Sequence, residues 1–272
     1  MVAVTAVPAA PTVAHLVLSI PRTLAVKSSS FVTPCSNCKS KMGTYPLQKK
    51  HTAPASKLVV RAARTESQGV SLGFRAPDFQ LPEPLTGKVW QLEDFEGHPA
   101  LLVMFICNHC PFVKHLKKDI VKLANFYMKK GLAVVAISSN SIATHPQDGP
   151  QFMAEEAKLF KYPFPYLYDE SQDVARDFGA VTTPEFFLFR KLINCFAGPF
   201  NHGNLLHESQ HGRRPFELVY HGQFDDSRPS NNVPVTGRDL SVAIDCVLSG
   251  QPVSTIQKPS VGCSIKWHPE AK

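Results

Sequence analysis

The stretch FICNHCPFVKH, residues 105 to 115, sets Cys107 and Cys110 three positions apart and follows Cys110 directly with Pro111. A cysteine attacks or binds metal as the thiolate, so the first question is what would lower its pKa. At the first turn of a helix the unpaired N–H groups and the positive end of the dipole favour thiolate over thiol, and Cys110 has that position. Pro111 suits the first helical residue, because its φ is pre-set and no needed donor is lost. Lys114, His109 and His115 add cationic or protonatable neighbours. A CxxC at the exit of a buried strand and the entrance of an amphipathic helix reads as a redox pair.

The elements that must hold this pair are legible around it. ALLVMFI (100 to 106) is a continuous apolar run, as expected of a strand buried on both faces. After the cysteines, Val113, Leu116, Ile120, Leu123, Ala124 and Tyr127 recur at helical spacing, with Lys114, Lys117, Lys118 and Lys122 on the other face and Gly131 at the end. LAVVAIS (132 to 138) predicts the next buried strand. Asp148-Gly149-Pro150 predicts a helix start, with Phe152, Met153, Ala157 and Phe160 on its apolar side. A short strand at 165 to 169, a short helix from Ser171 to Phe178 closed by Gly179, and strands at 185 to 189 and 217 to 222 follow. Thr236 predicts the N-cap of a last helix that ends before Gly250, carrying Cys246 as core or flank. Ahead of all these, APDFQLPEPLTGKVWQLEDFEG alternates around Thr86-Gly87 and predicts a hairpin.

Strands alternating with helices and ending in a strand pair specify an α/β domain over residues 73–250, with a central mixed sheet, an N-terminal hairpin extension and a tail over 251–272. Residues 192–211 have no period and interrupt an ordinary hairpin, which reads as an in-frame insertion. Cys195, His202, His207 and His211 lie in it and are poor site candidates, the alternative being a surface loop that binds metal through its histidines.

The net charge is +7 over 272 residues, yet no acid precedes Glu66, while nine Lys and Arg do. The remainder is therefore slightly acidic, and the basic balance gives no support to a nucleic-acid reading of the domain. The acid-free, Ser-, Thr-, Ala- and Pro-rich segment 1–62 has the composition of an organellar transit peptide. Val59-Val60-Arg61-Ala62-Ala63 looks like a plastid processing site, so the chloroplast stroma is the expected compartment. Cys35-x-x-Cys38 would be discarded with that leader. No apolar run approaches the roughly 18 to 20 residues of a membrane span.

APDF, the Cys110-Pro111 junction, and Thr182-Thr183-Pro184 before EFFLF resemble the thioredoxin superfamily, and CNHCPFVKH, YPFPYLYDE, GQFDDSRP and KPSVGCSIKW resemble its peroxiredoxin-like branch, the alkyl hydroperoxide reductase/thiol-specific antioxidant type. The resemblance implies a thioredoxin-like fold, a cis Pro184 facing the active cysteine, and Thr183 offering backbone groups to an extended thiol substrate. It implies that Cys110, not Cys107, attacks, resolved by Cys107 on the preceding loop or by Cys263 on a flexible tail. A buried Cys263 acting only as a small hydrophobe is the competing expectation. The catalytic set is thus Cys110, Cys107 and Cys263, and the substrate-binding set Thr183, Pro184 and Pro111.

There are departures from the pattern. The second thioredoxin cysteine falls at Val113 and the buried carboxylate at Met104. The Pro-x-x-x-Thr-x-x-Cys of a peroxiredoxin meets Val103 and Cys107 instead, and no arginine stands near Thr183. The resemblance implies a disulfide or hydroperoxide substrate, thioredoxin or glutathione as electron donor, no cofactor, no resident metal, and neither nucleic acid nor membrane as partner. The alternative is a non-catalytic module that holds a metal through Cys107, His109, Cys110 and Cys263, or binds a protein partner. Asp225, Asp226 and Arg228 are expected either to wall the site or to pair in a surface turn.

Overall fold

The computed structural model describes residues 64–192 and 214–269. The proposed leader 1–62 and nearly all of the proposed insertion, with Cys195 and its three histidines, lie outside the described residues.

The centre is a five-stranded sheet in the order β6-β5-β4-β8-β9. β4 (Ala100–Phe105) runs parallel to β5 (Leu132–Ser138), and β5 parallel to β6 (Tyr166–Tyr168). β8 (Glu185–Lys191) is antiparallel to β4 and to β9 (Phe216–Gly222). All six residues of β4 are buried because both faces are covered. Leu102 and Met104 point to a core shared with α1 (Pro111–Met128), α2 (Pro150–Phe160) and α4 (Arg238–Leu248). Leu101, Val103 and Phe105 point to the other, shared with α3 (Asp173–Phe178) and with Leu81 and Trp90 of the hairpin β2 (Gln80–Pro82)–β3 (Val89–Gln91). This is the expected thioredoxin-like α/β architecture with its N-terminal hairpin.

α1 buries Val113, Leu116, Ile120, Ala124 and Tyr127, the stripe read from the sequence. Lys117 departs from the solvent face assigned to it: it is buried, paired with Glu156 and set over the Phe160 ring. Phe152 departs the other way and is 45% exposed, since the apolar side of α2 is narrowed to Met153 and Ala157. α4 begins one residue later than expected, with Gly237 at φ +64 as N-cap. The reason is Asp225, whose buried carboxylate accepts from the Thr236 and Gly237 amides and fixes the turn.

The domain is also wider than 73–250. The tail contributes β10 (Val261–Ser264), which pairs with β1 (Arg64–Glu66) on one edge and with β7 (Thr182–Thr183) on the other. Local composition does not announce this strand, because only four residues pair and their partners lie far away in sequence. Across the proposed insertion β8 and β9 still meet, Lys191 opposite Phe216, and the Leu192 amide donates to the Pro215 carbonyl at 2.7 Å.

Candidate active site

The chain leaves β4 at Phe105 and enters α1 at Pro111, so the CNHC turn sits at the carboxyl end of the central strand. Cys110 is the helix N-cap, in extended backbone, and Pro111 is exposed at N1. The Thr183–Pro184 peptide is cis.

Thr183 is the hub of the site. Its carbonyl accepts from the Cys110 thiol at 3.2 Å, its hydroxyl lies 3.4 Å from the Cys107 sulfur, and Cys263 stands opposite it in the β7–β10 register. Thr183 thereby brings the Cys107 and Cys263 thiols into the neighbourhood of Cys110. Their exposures are 1%, 0% and 2% for Cys107, Cys110 and Cys263, and all three are free thiols. Cys246 is half-buried on α4, away from them.

Of the three thiols, Cys110 is the one whose pKa is lowered. Its pKa is lowered by hydrogen bonds from Cys107 and then Cys263, which outweigh burial, and the Val113 amide and Thr183 add to the effect. Cys107 is raised by burial, by its bond to Cys110 and by the charge of Asp148. Cys263 is raised by its bond to Cys110 and by burial. The expected cationic neighbours do not make this shift: His109 bonds Asp148, and His115 bonds the Ser227 hydroxyl at 2.7 Å. The neighbouring thiols, more than those cations, lower the Cys110 pKa.

Sequence reasoning missed Asp148. No carboxylate stands at Met104, but this one enters from the turn before α2, fully buried. One oxygen accepts from the Asn108 and His109 amides at 2.9 and 3.1 Å; the other accepts from Asn140 at 2.9 Å and meets His109 Nδ1 at 2.5 Å. Burial pushes its carboxyl up, but the His109 and Asn140 bonds and the His109 charge win, and it lies below its ordinary value. A Gly-Pro after an Asp signals a helix start, and nothing local says that the same Asp reaches 40 residues back to clamp the CNHC turn.

Glu185 was equally invisible. Fully buried next to Pro184, it accepts from the Val181 and Thr182 amides at 2.8 and 2.9 Å and pairs with buried His221 at 2.8 Å. It therefore shapes the turn that carries Thr183.

Cys107, His109 and Asp148 place one donor atom each within 4.8 Å of one another, a set that could meet a soft divalent ion. Both Asp148 oxygens are already engaged by the turn they clamp, and Cys110 and Cys263 are not in the set. Asp225 holds the turn before α4 and Asp226 pairs with Lys258 at the surface, whereas Arg228, bonded to Gln223, lines the groove beside Pro184, so GQFDDSRP serves both as a turn and as part of that wall. Two expectations are corrected. Cys263 is not on a swinging tail but within a paired strand, and Thr183 does not present a free edge, because β10 already pairs with it.

Among the described residues no helix is long and apolar enough to cross a membrane. The AhpC/TSA family matches residues 72–194. Chloroplastic peroxiredoxin Q of Triticum aestivum is 29% identical over 135 residues, a match spanning 47% of this chain and 58% of that protein. The crystal structure of an uncharacterized conserved protein from Geobacillus kaustophilus is 44% identical with a TM-score of 0.67, covering 78% of this chain and 100% of that one. A hypothetical protein from Sinorhizobium meliloti 1021 is 44% identical with a TM-score of 0.65, covering 75% and 98%. The cysteine-bearing strand-to-helix junction lies inside the span that matches the AhpC/TSA family, and the chain resembles that family there.

Proposed function

We propose that the protein is a thiol-dependent antioxidant oxidoreductase in which Cys110 is the nucleophile and Cys107 or Cys263 resolves it. The observation that carries this reading is the trio itself: Cys107, Cys110 and Cys263 gathered around Thr183, with Cys110 as the helix N-cap and its pKa lowered while the other two are raised. Attack on a hydroperoxide ROOH breaks the O–O bond, leaves Cys110 as sulfenic acid and releases ROH after the leaving oxygen takes a proton. The neighbouring thiol then condenses with the sulfenic acid, forming a disulfide and water. Attack on a disulfide instead gives a mixed disulfide and a leaving thiolate, and the neighbouring thiol displaces the second half. In either case two electrons leave the pair, and thioredoxin or glutathione restores the dithiol.

Val103 and Cys107 stand where the peroxiredoxin pattern has its proline and threonine, so the Thr183 hydroxyl, 3.4 Å from the Cys107 sulfur, is the donor we assign to assist. The chloroplastic compartment of the wheat relative, together with the leader composition, supports the stroma as the place of action.

The test is alkylation of the reduced protein across pH 4 to 9 with peptide mass spectrometry, before and after one equivalent of hydrogen peroxide or oxidised glutathione. The thiolate exists above its pKa, so Cys110 should label well below about pH 8.5, the ordinary thiol range, and afterwards be bridged to Cys107 or Cys263. Ordinary labelling and no bridge would remove the enzymatic reading.

A further inference from the structure

A nucleophile with no exposed surface must still be reached, and what covers Cys110 can be traced to one strand. β7 carries Thr182 and Thr183 directly before the cis proline, and the N–H and C=O groups of a strand edge are what an extended polypeptide would pair with. Here the chain's own β10 takes them. Cys263 stands opposite Thr183 and Ser264 opposite Thr182. The Thr182 hydroxyl donates to the Cys263 carbonyl at 2.9 Å, and the Ile265 amide to the Val181 carbonyl at 2.9 Å. β1 closes the other side, with Arg64 opposite Cys263. Gly262 permits this approach, since a Cβ at that position would overlap the Thr183 carbonyl. A narrow groove lies beside Pro184, lined by Phe112, His115, Phe224, Arg228 and Val261 among others.

We propose that β10 is a tethered stand-in for a substrate strand and confines Cys110 to small oxidants, hydroperoxides and low-molecular-weight disulfides, while excluding polypeptide disulfides. The inference rests on the reading of Cys110 as the nucleophile. A polypeptide disulfide must bring flanking backbone to the edge that β10 fills. A hydroperoxide brings two oxygen atoms, and a local opening far smaller than undocking of the strand admits it. In both cases Cys110 forms the first bond, and Cys263, already opposite Thr183, is held where a substrate's sulfur would otherwise lie.

The experiment compares initial rates of Cys110 oxidation in the reduced full chain by hydrogen peroxide, oxidised glutathione and insulin, the last as a polypeptide disulfide, in wild type and in Gly262→Val. With only the undocked fraction competent, wild type should react with insulin at least about tenfold more slowly than with glutathione, and Gly262→Val should recover at least about tenfold on insulin alone. Equal wild-type rates on insulin and glutathione overturn the proposal but leave Cys110 as nucleophile; so does a folded Gly262→Val protein with an unchanged ratio. If Cys110 reacts with none of the three while the unfolded chain reacts, the nucleophile reading falls, and this proposal with it. Should Gly262→Val not fold, the wild-type ratio decides.

Discussion

At the scale of single residues the site turns on which of three adjoining sulfurs carries the charge. Asp148 biases the choice, because its carboxylate lies beside Cys107 and helps burial keep that thiol protonated. Asp148→Asn keeps an oxygen for the two turn amides but loses the charge and the acceptor facing His109. We expect a loss of about 2 kcal/mol in urea unfolding, the usual worth of a charge-assisted bond, and a lower Cys107 pKa by pH-dependent alkylation. The acid limb has a definite sign. Since the folded Asp148 pKa is depressed, its contribution is present above the ordinary carboxylate range and is lost as pH falls through the depressed value. In Asp148→Asn that part of the acid destabilisation should disappear from pH-dependent melts.

At the scale of elements, β4 delivers the cysteines and the turn before β8 delivers Thr183, so the register between those strands decides whether sulfur meets carbonyl. Phe105 lies opposite Glu185 in that register. Glu185 then holds the Val181 and Thr182 amides, and His221 on β9 holds Glu185. Removing the carboxylate strands the buried Thr182 amide and His221 ring and the half-buried Val181 amide. Glu185→Ala should therefore cost on the order of 3 to 5 kcal/mol, as breaking a buried pair does, whereas Glu185→Gln keeps an acceptor and should cost less. Thermal melts rank the two. Alkylation of Cys110 in the Gln variant, near-native in fold, reports whether the turn still holds Thr183 against the sulfur.

For the whole molecule, the fold closes through chain ends that look dispensable in one dimension. β1 and β10 lie outside residues 73–250, yet they pair with each other, and β10 pairs with β7 at the candidate site. Trimming the chain to 73–250 should leave a protein whose Cys110 alkylates faster and whose amides near Thr183 lose protection in hydrogen exchange. The long connection between β8 and β9 is the opposite case. Its base is closed by Leu192 and Pro215 and by the Lys191–Phe216 pair. Replacing residues 193–213 with a short Gly-rich turn should preserve the sheet and raise stability by about 1 kcal/mol through the lower entropy of closing a shorter loop, measured by urea unfolding.

The buried strands, the helix after the CxxC and the position of Cys110 at its start were determined by sequence alone, because each follows from residues within one or two turns of each other: ALLVMF has no polar face, and Val113, Leu116, Ile120, Ala124 and Tyr127 make one stripe. The partners of that cysteine were decided only by tertiary structure. Asp148 is 38 residues from Cys110, Thr183 is 73 away, and Cys263 is 153 away, and none carries a local mark of where it will lie. Local rules see propensity and period. Which carboxylate clamps the turn, and which thiols lie around Cys110, depends on the register of strands and on a glycine small enough to let β10 reach Thr183.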